Sequence, residues 1–358
     1  MALLFALVLG IGAVCDPLSP LGGWPAFLEP YREHRSRPAK SRLLRRGWEI
    51  VLLGSSRTES GVDPKAEVWQ GKRVFNAGLA AGTLNEIVGA LDHALDHAKP
   101  KTVLLELGLV TVTGGDLEAE FPHDPPGAGL LTWAGFQESL SVVVRAATLR
   151  ESRNTEEGFR IPKWRDPPRL RRRCRRVFQR AFGNPPRISY SSELLAPLEA
   201  QVRACRAAGV RVVIYLAPVH ALWLESLRLQ FGDGQERMER DLLALVQRVN
   251  AAEEGPSVEL WDFSGYTGLR AELVPPADQP DALMEHYFET SHYMPSVGER
   301  VVRQLLGGPG ELGVRIPDAA ALAAHQAARA AERARYRSEQ AEQVEWLEGL
   351  WRAAQPPG

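Results

Sequence analysis

A chain of 358 residues with 44% apolar and 24% charged content can bury a large core, in one big domain or two. Its net charge of −1 gives no overall pull toward nucleic acid. The three cysteines, Cys15, Cys174 and Cys205, have no metal-ligand spacing, so no structural metal is expected, and they leave the redox compartment open.

The chain begins with an unbroken apolar run, Ala2 to Val14. It is shorter than the roughly 20 residues that span a bilayer and suits a signal-peptide core or a shortened anchor over residues 1–15. No Lys or Arg precedes it, and Arg32, Arg35, Arg37, Lys40 and Arg42 follow it, the reverse of an export signal's usual charge order. A buried strand or helix is the alternative. Val14 is too bulky before Cys15 for a lipobox. Residues 16–47 read as an irregular, then basic, linker.

Ile50 to Leu53 is a short apolar run of the kind a buried parallel strand shows, and it stops at Gly54-Ser55-Ser56. Ligands of open α/β sheets bind at the carboxyl ends of strands, so these hydroxyls stand at the mouth of a site. Alternatively, Ser55 or Ser56 only caps the next helix. Glu59 to Val68 holds a turn and the start of a helix. Arg73 to Phe75 is a second strand ending at Asn76, and Thr83 to His97 is a helix with Leu84, Ile87, Val88, Leu91 and Leu95 on one side. His93 and His97 are four apart, which allows a metal pair, but no third ligand accompanies them and a solvated polar face is expected.

Thr102 to Leu107 is a third strand. Residues of about 111–190 form an insertion with helical stretches and the run Arg169 to Arg180, which contains Arg-Arg-Arg-Cys-Arg-Arg. Such a run is a solvated helix face, or a surface for phospholipid head groups or an acidic polysaccharide. Little aromatic residue is interleaved with it, which argues against nucleic acid. Leu194 to Ala208 is a helix, Val210 to Leu216 a fourth strand with mouth loop Ala217-Pro218-Val219-His220, and Ser257 to Trp261 a fifth. Helices over Ala221 to Phe231, Arg237 to Ala252 and Ser296 to Leu306 complete the pattern. The expected fold is α/β: a three-layer α/β/α sandwich around a parallel five-stranded sheet, over residues 48–306. Residues 307–358 are a strongly helical tail that packs on its own domain or on a partner.

A second stretch, Tyr287-Phe288-Glu289-Thr290-Ser291-His292-Tyr293, changes the weight given to Gly54-Ser55-Ser56. Gly54-Ser55-Ser56, then Phe75-Asn76-Ala77-Gly78 with Gly82 four residues on, then Glu289-Thr290-Ser291-His292 form an ordered set. The set resembles the SGNH (GDSL-like) hydrolase superfamily, in its divergent envelope branch of alginate O-acetylation and teichoic-acid D-alanylation proteins. Two departures stand out. The acid is Glu289 rather than Asp, and Glu106-Leu107-Gly108-Leu109 replaces the block that carries an oxyanion-hole Asn.

The resemblance implies Ser56 as nucleophile, His292 as base and Glu289 as the acid that orients it, the logic of a Ser-His-Asp triad. It implies Gly78, within the Asn76 block, as an oxyanion donor beside the Ser56 amide. Arg57 and His220, both expected at the same sheet edge, are candidates for the missing donor or for substrate contact, with Ser55 beside them. The activity implied is a serine esterase or O-acyltransferase of the cell envelope that needs no cofactor. It would act on an acylated polysaccharide or lipid, with a membrane acyltransferase as a partner, and would associate with the membrane through its N-terminal segment. The alternative is a catalytically inactive SGNH-fold assembly protein. A nucleotide-binding protein is disfavoured because Gly78-Leu79-Ala80-Ala81-Gly82 lacks the Lys of a phosphate loop.

Overall fold

The computed structural model describes residues 10, 26–32, 34–114, 119–122, 133–162, 170–184, 188–252, 254–279 and 282–355. The N-terminal apolar run except Gly10, the stretch up to Pro25, and Arg169 lie outside them. Among the described residues no helix is long and apolar enough to cross a membrane.

After a short 3-10 turn, Ala26–Tyr31, helix α1 covers Arg37–Leu44. Ser36 caps it and Pro38 sits in its first turn, where the missing N–H costs nothing. What reads as a basic linker is therefore partly folded in. Lys40 is fully buried and donates its Nζ to the Gly78 carbonyl. Burial lowers its pKa to about 8, and Glu59, 3.8 Å away, opposes that shift.

Strand β1 is Ile50–Leu53 and helix α2 is Ser56–Gly61. Strand β2 is Val74–Asn76, and α3 is Leu84–His93, started by a full capping box between Thr83 and Glu86. The expected helix to His97 instead widens into a π turn over Ala94–Ala98. His93 is buried, with Nε2 2.8 Å from the Ser41 carbonyl, so it serves the end of α1 and not a solvated face. His97 is exposed. Among the described residues no group of three or more His, Cys, Asp and Glu could hold a metal ion.

Strand β3 is Thr102–Leu107, followed by α4 (Leu109–Thr113), α5 (Trp133–Ala147), α6 (Leu170–Gly183) and α7 (Ala196–Ala207). Next come β4 (Arg211–Leu216), α8 (Ala221–Phe231), α9 (Gly234–Ala252) and β5 (Glu259–Asp262). A hairpin of β6 (Tyr287–Glu289) and β7 (His292–Tyr293) leads into α10 (Pro295–Leu305). The chain ends with β8 (Val314–Arg315), α11 (Ala319–Glu339) and α12 (Ala341–Ala354).

The sheet order is β2-β1-β3-β4-β5-β8. The first five strands are parallel, the doubly wound order whose switch point lies between β1 and β3. The sixth corrects the expected five-stranded sheet: β8, from the tail, pairs antiparallel with β5 at Asp262 and Trp261. Two residues are too few to read as a strand in sequence. Alternate strand residues feed two cores, as a period of two requires. Val51, Leu53, Val103, Leu105, Val212 and Ile214 face one core with residues of α3, α7 and α9. Ile50, Leu52, Leu104, Val213 and Tyr215 face the other with α6, α8, α10 and α12.

The arginine-rich run folds as α6, whose Leu170, Cys174, Phe178 and Phe182 form a buried stripe at helical spacing. Arg172, Arg175, Arg176 and Arg180 face outward, while the Arg171 guanidinium stacks 4.5 Å from the Trp346 ring centroid of α12. The tail packs on the same domain. Arg329 of α11 inserts between Asp262 and Glu239, and Arg333 and Arg337 close on buried Glu225.

Candidate active site

Gly54 ends β1 with φ +151°, a conformation only glycine adopts freely. The next residue, Ser55, caps α2: its Oγ accepts from the Arg57 amide at 3.3 Å. Ser56 then opens the helix, half-buried, and its Oγ lies 2.7 Å from His292 Nε2. The first amides of a helix have no intrahelical acceptor, so the Ser56 N–H and the positive end of α2 are available beside its own hydroxyl.

The β6–β7 hairpin presents His292. Its Nδ1 bonds Glu289 Oε1. Ser291 completes the turn: its amide donates to Glu289 Oε2 at 2.8 Å and its hydroxyl to Glu289 Oε1 at 2.8 Å. Glu289 is almost fully buried, which alone would raise its pKa. The His292 imidazole and the Ser291 donors outweigh that and hold the carboxyl below its ordinary range. The carboxylate form therefore faces Nδ1, fixes Nδ1–H, and leaves Nε2 free to accept the Ser56 proton. The extra methylene of Glu relative to Asp is absorbed inside the turn, where Ser291 grips both oxygens. Helix α6 packs behind the hairpin. Its Cys174 lies near Glu289, and burial followed by that charge pushes the thiol up to about 12, so it is no nucleophile.

The structure thus brings Ser56, His292 and Glu289 into one hydrogen-bonded chain. It places the other sequence candidates differently. The Gly78 amide is engaged by Asn76 Oδ1 at 2.9 Å, so it does not stand free for an oxyanion. Asn76 is fully buried and its Nδ2 donates to the carbonyls of Thr58 and Val62 at 2.7 and 2.8 Å, pinning α2 to the end of β2. A Cβ on Gly78 would meet the Glu59 amide at 2.5 Å, so that glycine allows the close approach of α2. His220 caps α8, accepting from the Leu222 amide at Nδ1 (3.1 Å), while Nε2 bonds the Glu272 carbonyl at 2.5 Å. Burial depresses its pKa to about 4, which keeps it a neutral tie between loops. Arg57 donates from Nη1 to Glu106 Oε1 at 3.1 Å and from Nε to the Ser291 carbonyl at 3.1 Å. Ser55 Oγ donates to Glu106 Oε2 at 2.8 Å.

Glu106 and Ser291 are the site residues that the sequence reading left without a role. Glu106 carried a signal, a charge inside the apolar run Val103–Leu107 of a central strand, where burial demands partners.

A cleft opens beside Arg57 at the carboxyl ends of β3 and β4, walled by Leu107, Leu109, Leu216, Val219 and Trp223. Together these groups can activate a hydroxyl for attack on an acyl carbon, with an apolar recess nearby.

The sequence matches no protein-family model and no curated protein. Among solved structures, a candidate platelet activating factor from Streptococcus pneumonia is similar at a TM-score of 0.37 and 13% identity, over 76% of this chain and 91% of that one. That likeness is loose, and the chemistry of the site rests on its own geometry.

Proposed function

We propose that the chain is an SGNH-like serine acyl-ester hydrolase or O-acyltransferase of the cell envelope. The observation that carries this reading is the unbroken chain Ser56 Oγ–His292 Nε2 (2.7 Å) and His292 Nδ1–Glu289 Oε1. Ser56 Oγ attacks the ester carbonyl while Nε2 takes its proton. The imidazolium is stabilised by the Glu289 carboxylate, which does not itself take the proton. The Ser56 amide at the start of α2 supports the oxyanion. Collapse transfers the proton from Nε2 to the leaving alcohol and leaves an acyl-Ser56 ester. Water or an acceptor hydroxyl then repeats the sequence in reverse, so hydrolysis and transfer share one intermediate.

The substrate class proposed is an O-acylated glycan or lipid. The apolar run Ala2–Val14 supports an exported, membrane-tethered protein, and the outward arginines of α6 suit an anionic envelope polymer. The engaged Gly78 amide and the missing oxyanion-hole Asn, whose block is replaced by Glu106-Leu107-Gly108-Leu109, favour a second reading, a binding or assembly protein that keeps the fold without turnover. Labelling with a fluorophosphonate probe separates the two. Covalent labelling that is lost in Ser56→Ala supports the enzyme, and a fully folded chain that resists the probe supports the binding protein. Cell fractionation tests the location, and recovery of the full-length chain in the cytoplasm would overturn it.

A further inference from the structure

We propose that Glu106 and Arg57 are a pair of positioning residues that hold the nucleophile turn and the histidine hairpin in register. The inference rests on the reading of Ser56 as nucleophile.

Glu106 is fully buried at the carboxyl end of β3, one strand over from Gly54. Both carboxylate oxygens are used. Oε2 accepts from the Ser55 amide at 2.7 Å, the Ser55 hydroxyl at 2.8 Å and the Thr58 hydroxyl at 3.3 Å. Oε1 accepts from Arg57 Nη1 at 3.1 Å. The same guanidinium reaches through Nε to the Ser291 carbonyl at 3.1 Å and lies 5.8 Å from the Trp223 ring centroid. Two glycines leave room for the pair. A Cβ on Gly54 would lie 2.7 Å from Glu106, and one on Gly108 would lie 3.2 Å from Arg57 Nη1.

What the pair touches sets its role. Ser55 immediately precedes Ser56, and Ser291 immediately precedes His292. One carboxylate therefore fixes the backbone on one side of the reacting hydroxyl directly. Through Arg57 it also fixes the backbone on the base's side. A displacement of 1 Å between such groups can cost about 10²-fold in rate. Glutamine at 106 cannot replace the carboxylate: its single oxygen serves either Arg57 or the Ser55 donors, and its NH2 then meets another donor.

The test uses the full-length chain and the fluorophosphonate probe, with rates taken per folded molecule by circular dichroism. Arg57→Ala is expected to slow labelling about 10²-fold, with the probe's saturation constant little changed. Added guanidinium at millimolar concentration is expected to recover part of the rate. Glu106→Gln is expected to behave similarly without rescue. A second readout is the downfield proton resonance of His292 Nδ1–H, which reports the bond to Glu289 whether or not the protein turns over. It is expected to shift or broaden in both variants. Labelling at the parental rate together with an unmoved resonance would overturn the proposal. A parental chain that is not labelled at all would sink the serine reading instead, and the resonance would then decide the positioning role alone: a shift upholds it and an unmoved line ends it. Where Arg57→Ala does not fold, Arg57→Lys is read the same way, since an ammonium lacks the planar fork that bonds Glu106 through Nη1 and the Ser291 carbonyl through Nε.

Discussion

The Ser56 hydroxyl and the His292 imidazole, 236 residues apart in sequence, meet at 2.7 Å. The contact joins the first crossover of the sheet to a hairpin that belongs to no strand of it.

The first prediction compares the two serines. Ser56→Ala removes the oxygen proposed as nucleophile and is expected to abolish probe labelling. Ser55→Ala removes one hydrogen bond to Glu106 and the side-chain cap of α2 but keeps the Ser55 amide bond to Glu106. It is expected to lower stability by about 0.5–2 kcal/mol, the usual cost of a lost cap, and to slow labelling without ending it. The reverse pattern would move the nucleophile by one residue.

The second concerns the acid. Glu289→Gln leaves a group that can face Nδ1 with an N–H instead of an acceptor, which disfavours the productive tautomer. Turnover is expected to fall by about 10⁴-fold, as loss of the acid does in serine triads. Ser291→Ala removes one donor to Glu289 and is expected to cost far less. Steady-state rates of both variants on a model aryl ester check the order, and equal losses would contradict it.

Much of this was legible in the sequence, for identifiable reasons. Ile50–Leu53 and Thr102–Leu107 fall where the apolar runs place them, because strands buried on both faces must be apolar throughout. Ser56, His292 and Glu289 could be picked out because their motifs are contiguous. What hid from the sequence is what depends on a partner distant in the chain. Asn76 and Gly78 sit in a recognisable motif, yet their hydrogen bonds serve α2 and their own turn. Lys40 reads as part of a basic linker and is buried, because Gly78 and Glu59 supply its partners from across the fold. The last strand was illegible because two residues carry no periodicity, and they pair only because the fold brings them to the edge of β5.

The third prediction concerns acid stability. His220 is buried and neutral with a pKa near 4 in the folded chain, against about 6.5 when unfolded. As pH falls below about 6.5 the unfolded chain takes up this proton first, so stability drops until about pH 4, below which both states are charged. His220→Asn can keep the helix cap and cannot take up the proton. Urea melts between pH 7 and pH 4.5 are expected to show a shallower loss of stability in the variant than in the parent. An identical pH slope would show that this histidine does not carry the effect.

The last prediction tests whether the tail is structural. Arg329 Nη1 lies 2.6 Å from Asp262 Oδ2 and its Nη2 lies 2.7 Å from Glu239 Oε2, all three side chains being nearly fully buried. His325 also faces Asp262, at 2.9 Å, and Gln326 and Ser264 complete the polar cluster. Burial pushes both carboxyls up; around Asp262 the Arg329 charge and His325 win and hold it below its ordinary value, while Glu239 stays above its own. Arg329→Met leaves two buried acids facing each other without their central cation. Breaking a buried pair in this way costs about 3–5 kcal/mol, and that loss is expected in urea melts at pH 7. The deficit should shrink at pH 5. One acid whose folded pKa has risen above its unfolded value takes up a proton on folding, so stability returns as pH falls through the raised value. Labelling of Ser56 per folded molecule should stay near the parental rate, because the cluster touches neither α2 nor the β6–β7 hairpin through any of these bonds. A variant with parental stability and slowed labelling would instead make α11 part of the site's wall, through the cleft that Gln326, Arg329 and Arg333 line beside Leu224 and Leu227.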